Sequence, residues 1–161
     1  DIGEWVFLAD LDVMVNITHS WVEDVALKLE SPAGTVIDLI KGVSGSGTSF
    51  EGTIFDDDAF LSIVEASAPF AGSFRPETPL STFNGELALG EWKLHVADNF
   101  PQLDNGTLNE WALIVKGAEP PCRSGDVSAD GDLDIGKRRV ELLTQVCPAS
   151  PVGRTVLIQS L

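Results

Sequence analysis

Residues 19–35, HSWVEDVALKLESPAGT, decide the fold. Val25, Leu27 and Leu29 alternate with Ala26, Lys28 and Glu30, the period of two expected of a strand with one buried face. Ser31-Pro32-Ala33-Gly34 then forces a turn, because proline presets φ and glycine tolerates positive φ. TVIDLI (35–40) resumes the alternation with Val36 and Leu39, which predicts a β-hairpin. Ahead of it, Val13, Val15, Ile17 and His19 share one face of a strand at 12–18. The local pattern gives antiparallel β and nothing more specific.

Outward from this hairpin the chain keeps to short apolar runs broken by turn residues. DIGEWVFLADL (1–11) reads as an edge strand or lead-in, with Trp5, Phe7 and Leu8 over the core. KGVSGSGTSFEG (41–52) is a Gly/Ser-rich flexible loop, and TIFDDD (53–58) ends in three carboxylates. Residues 59–64 fit a short strand or a helical turn. Residues 67–85 form an extended loop anchored by Phe70, Phe74 and Phe83. Trp92, Leu94 and Val96 alternate with an outward His95, and residues 98–106 make a polar turn. Leu108 to Val115 is a closing strand with Trp111, Leu113 and Val115 on one face. This order predicts an all-β protein, an antiparallel sandwich or jelly roll over residues 1–116.

GAEPP (117–121) marks a linker, since proline cannot join a ladder. Beyond it, 122–161 forms a separate loop–helix appendage and tail. Ile135, Val140, Leu142, Leu143 and Val146 suit a short amphipathic helix with Asp134 as its N-cap. The tail PASPVGRTVLIQSL carries a β-branched run without an evident partner. Cys122 and Cys147 bracket the appendage and read equally as a staple or as two free thiols.

The 161 residues carry a formal charge of −15, concentrated in residues 1–116, where 19 acids face 5 bases. Phosphate contacts need clustered Lys and Arg, so nucleic acid is excluded as a partner. The acids are compatible with calcium binding or a salty medium, or form a solvated surface. No run approaches the ~20 apolar residues of a membrane helix. Asp1 opens on no signal-peptide pattern, which for a secreted module suggests a mature fragment.

The landmarks H-x-W-x-x-D-x-x-L-x-L-x-SP-x-GT, F-D-D-x-A, PF-x-G-x-FRPE-x-PLS-x-FNG, G-x-W-x-L-x-V-x-D and D-x-GTLN-x-W-x-L occur in unbroken order over residues 7–116. Together they resemble the P domain (P/Homo B domain). Such modules sit beside the subtilisin-like catalytic domain of proprotein convertases and at the C-termini of secreted bacterial proteases. The matching positions are Asp24, Ser31-Pro32, Gly34, Asp57, Pro69-Phe70, Gly72, Trp92, Asp98, Gly106 and Trp111. The resemblance implies a β jelly roll that is secreted, non-catalytic and bacterial in origin. It further implies a partnership with a subtilisin-like catalytic domain, which the module stabilises or helps to fold. Tuned calcium dependence and contact with protein substrate belong to the same expectation. A carbohydrate- or matrix-binding module of another secreted enzyme is the competing class, with the tryptophans as its platform.

Two groups of acids are candidate calcium ligands. In GDVSADGDLDI (125–135), Asp126, Ser128, Asp130, Asp132 and Asp134 take positions 1, 3, 5, 7 and 9 of a calcium loop, with Gly131 at its bend. This stretch resembles one half of a dockerin repeat, although Lys137 stands where a twelfth-position carboxylate belongs; the alternative is an Asp/Gly turn capping a helix. In the body, Asp24, Asp56, Asp57, Asp58, Asp98 and Asp104 sit at strand ends or turns, where they bind a cation or bond their own backbone. Nothing points to catalysis. His19 lies on an apolar strand face, the serines of GSGTS (45–49) lack an elbow between strand and helix, and the subtilisin-like Asp, His and Ser blocks are missing.

Overall fold

The computed structural model describes residues 7–42, 47–103, 105–118 and 155–160. Eight strands occur among them: β1 (Phe7–His19), β2 (Val25–Glu30), β3 (Val36–Ile40), β4 (Phe50–Phe55), β5 (Phe70–Phe74), β6 (Lys93–Asp98), β7 (Gly106–Ala118) and β8 (Thr155–Ser160). One sheet has the order β5-β4-β1-β7-β8 and the other the order β3-β2-β6. The only helical segments described are 3₁₀ turns at Val22–Asp24, Ile63–Glu65 and Leu80–Phe83. The protein is an all-β sandwich.

Alternation explains how the sheets face each other. Leu11, Val13, Val15, Ile17 and His19 of β1 are all buried, as are Val25, Leu27 and Leu29 of β2. Phe50, Phe55, Phe70, Leu113 and Val115 join the same core cluster, so both inner faces share one core. Each of these phenylalanines removes a large apolar surface from water, which is the main stabilising term of the fold. Phe50 stacks on Phe70 with ring centroids 5.1 Å apart.

The hairpin forms as read. Gly34 adopts φ +88° and its N–H bonds the Ser31 carbonyl at 2.9 Å. The face of β3 differs from the expectation. Ile37 and Leu39 point inward, whereas Val36 is half exposed. Cross-strand partners share a face, and Val36 pairs with the outward Glu30 while Ile37 pairs with the inward Leu29. A bulge between Leu27 and Lys28 then brings Ile40 inward as well.

Three further departures follow from long-range pairing. The lead-in is no edge: Phe7 and Leu8 belong to β1, which is central in its sheet. The loop at 67–85 contains β5, which pairs parallel to β4, so the sheet is not purely antiparallel. Of the two forms expected for residues 59–64, the helical turn is the one that forms, as a bend running into a 3₁₀ turn. The tail run becomes β8, antiparallel to β7 from Trp111↔Ser160 to Lys116↔Thr155. The expected calcium loop, its helix, Cys122, Cys147, Trp5 and Asp104 lie outside the described residues.

Candidate functional site

Two regions of the described body bring polar side chains next to exposed apolar ones. The first is the turn after β4. Asp56 Oδ1 accepts the Asp58 N–H at 2.7 Å. The Asp57 carboxylate accepts the Leu80 N–H and the Ser81 N–H, both at 2.8 Å, and so seats the 3₁₀ turn at Leu80–Phe83. Arg75 was not singled out by the sequence, yet it organises the next segment. Its Nη1 donates to the carbonyls of Ala59 and Phe60 at 2.7 and 2.6 Å. Its backbone N–H bonds the Leu61 carbonyl, and its own carbonyl accepts the Ile63 N–H.

These bonds hold Phe60 in solvent at 97% exposure, with Leu61 and Val64 exposed in the same short segment. A loop tied down at its backbone usually turns its apolar side chains toward the core. Here it displays them instead.

Asp12, also missed, lies beside this turn. Burial raises its pKa to about 6, and the charges of Asp56 and Asp10 push the same way against the pull of Lys116. Asp12 Oδ1 is buried without a hydrogen bond. Lys116 Nζ donates to Asp10 Oδ2 at 2.5 Å, and that bond holds the Lys116 pKa above its ordinary value. Outward-facing pairs elsewhere are simpler. Glu30 joins Lys93 at 3.0 Å and His95 at 2.8 Å, which lowers its pKa. Asp38 is likewise lowered, chiefly by Lys28.

The second region is the far end of β1. His19 is 5% exposed, and its Nδ1 accepts the Trp21 N–H at 3.1 Å. The neutral ring therefore carries its proton on Nε2, which faces Asp98 Oδ2 at 3.4 Å without completing a hydrogen bond. Asp98 Oδ1 accepts the Phe100 N–H at 2.9 Å. Asp24 sits nearby, its carbonyl bonding the Asn99 N–H at 2.9 Å. His19 pairs with Gly106, and a Cβ added there would come within 2.2 Å of the imidazole Cδ2 and 2.8 Å of the Thr18 carbonyl oxygen.

The body acids thus divide into two sets. Asp98 faces His19 and Asp24 precedes Val25, the strand partner of Asp98, whereas Asp56, Asp57 and Asp58 follow the strand position paired with Val13. Six residue steps along β1, from Val13 to His19, separate the two sets, about 20 Å at the rise of a strand. Among the described residues no three His, Cys, Asp or Glu side chains are arranged to hold a metal ion. Trp92 is buried and its Nε1 donates to the Ala88 carbonyl at 3.0 Å; Trp111 packs partly buried on the core. Trp21 is exposed and bonds Glu23.

The described residues form a two-sheet β sandwich that presents a pinned apolar loop. The family model for the proprotein convertase P-domain matches residues 8–115, and the chain belongs to that family. P domains are non-catalytic partners of subtilisin-like catalytic domains. No curated protein and no solved structure matches the chain. No described helix is long and apolar enough to cross a membrane.

Proposed function

We propose that this P domain is the companion of a secreted subtilisin-like protease, stabilising the catalytic domain or assisting its folding, through the loop that carries Phe60. The observation behind this reading is the cost of that loop. Arg75 and Asp57 tie it down from both sides while Phe60, Leu61 and Val64 remain in water. A rigid, exposed aromatic loses little conformational entropy on docking, which is how interface anchors gain affinity. A carbohydrate platform would favour several aromatics exposed on one sheet. Of the described tryptophans, Trp92 and Trp111 are drawn into the core instead.

Contact with protein substrate and calcium-dependent stability belong to the same proposal. The acidic balance of the body supports attraction of cations generally, and the Asp126–Asp134 series supplies alternate oxygens on the spacing a hard cation needs. The test of the companion role is to produce the parent catalytic domain with and without this chain and to compare the yield of soluble, active protease. Equal yields overturn it.

A further inference from the structure

Val96 and Leu108 face the inside of the sandwich and are nevertheless left open. Val96 on β6 pairs with the fully buried Leu27, and Leu108 on β7 pairs with the buried Ile17. Partners across a ladder share a face, so both side chains belong to the core side. Yet Val96 is 44% and Leu108 38% exposed. The reason is topological. β6 is the edge of the three-stranded sheet, and no described strand continues past it to cover them. A cleft of about 240 Å³ remains between β6 and the β1–β7 pair, with Ile17 and Val25 at its base.

The polar end of the cleft has one sign of charge. Asp98 lines it, and Glu23 and Asp24 line the adjoining groove with Trp21, Phe100 and Leu103. Neither set of lining residues includes a lysine or an arginine. Behind Asp98 stands His19, nine-tenths buried, its Nε2 proton aimed at the carboxylate and unpaired. The Trp21 N–H fixes the ring and the Phe100 N–H fixes the carboxylate, so the anion is held in place beside an apolar trough.

We infer that this cleft binds an extended polypeptide alongside β6, with a lysine or arginine side chain laid over Val96 and Leu108 and its cation at Asp98. An edge strand offers unpaired amide and carbonyl groups to an added strand, and the trough suits a long aliphatic stem. A polypeptide supplies both at once, whereas a bare cation leaves the apolar walls exposed and an apolar ligand leaves the carboxylate unmatched. The inference deepens the substrate-contact part of the proposed function. It stands apart from the companion role, because the cleft and the Phe60 loop are different surfaces.

The test is titration of the full chain with acetyl-Thr-Val-Lys-Val-Thr-amide, followed by amide NMR shifts. Three control ligands accompany it: the same peptide with norleucine for lysine, the peptide with alternate amides N-methylated, and a cello-oligosaccharide. The expected result is saturable shifts confined to Ile17–His19, Lys93–Asp98 and Gly106–Leu108. Affinity should fall roughly threefold or more with norleucine, or with Asp98→Asn, as for a partly exposed ion pair. N-methylation should abolish binding. Asp98→Asn keeps the oxygen that accepts the Phe100 N–H, so the variant remains folded and circular dichroism verifies it. Absence of saturation, equal affinity for the norleucine peptide, or saturation by the oligosaccharide in its place overturns the inference. Each of these outcomes leaves the yield comparison with the catalytic domain untouched.

Discussion

The carboxylate of Asp57 holds the backbone amides of Leu80 and Ser81, both at 2.8 Å, across 23 and 24 residues of chain. Through this one group the turn after β4 is tied to the 3₁₀ segment that seats Leu80 and Phe83 in the core. A carboxylate that accepts two N–H groups, that of Leu80 partly buried and that of Ser81 exposed, contributes more than a neutral hydrogen bond.

Replacing Asp57 with Ala leaves two amides without a partner and should cost about 1–3 kcal/mol. Asp57→Asn keeps one acceptor and should cost less. Urea unfolding of the two variants and the wild type measures the difference. Equal stability of all three would show that water satisfies the amides equally well.

Asp12 predicts an unusual pH dependence. Its pKa rises from an ordinary 3.8 to about 6 in the folded protein, so the folded state binds this proton more tightly than the unfolded one. Stability from this group is therefore gained as the pH falls from about 6 toward 4. The lowered carboxyls Glu30 and Asp38 act in the opposite sense, and lose their contribution only below the ordinary carboxylate range. Asp12→Asn should raise the unfolding midpoint at pH 7 and flatten the slope between pH 4 and 6. Unfolding measured as a function of pH checks both effects, and an unchanged slope contradicts them.

A side chain at Gly106 would run into the His19 ring and, less severely, the Thr18 carbonyl. Gly106→Ala must push the imidazole off its seat, and overpacking of this kind should destabilise by about 1–3 kcal/mol. The His19 side-chain resonances should shift in the same variant. His19→Ala combined with Gly106→Ala should recover part of the loss, and a strictly additive double variant would refute the steric account.

Much of this was legible because alternation is a local signal. β1 and β2 show their inward faces in the sequence, and His19 falls on the correct side of its strand. Val36 reads as inward but faces out, because the pairing of Glu30 with Val36 and of Leu29 with Ile37 sets which residues of β3 meet the core, and that register is not visible in TVIDLI alone. The parallel β4–β5 pair and the β7–β8 pair depend on residues distant in sequence, which periodicity cannot see. The acids were visible but their use was not. Asp57 reads as a cation ligand and serves as a cap for a turn 23 residues on, while Arg75 stands out only as the sole arginine in residues 1–116. That isolation in an acidic body was the available signal for its structural task.

Calcium dependence can be tested on the chain alone. A ligand that binds only the folded state raises its stability by mass action. Bound calcium should lift the unfolding midpoint, and excess EDTA should lower it. Asp57→Asn and Asp130→Asn then separate the body from the Asp126–Asp134 segment. An identical midpoint with calcium and with EDTA contradicts calcium-dependent stability.

The most direct measurement of the companion role uses Phe60, whose side chain is 97% exposed and contributes little to the fold of the chain itself. The parent protease, with this P domain in place, should be prepared as wild type and as Phe60→Ser, and the half-life of its activity followed at elevated temperature. Removal of an interface anchor typically costs about 2 kcal/mol or more. The account predicts a clearly shorter half-life for Phe60→Ser, while the unfolding midpoint of the isolated P domain stays the same. An unchanged half-life would contradict docking through this loop.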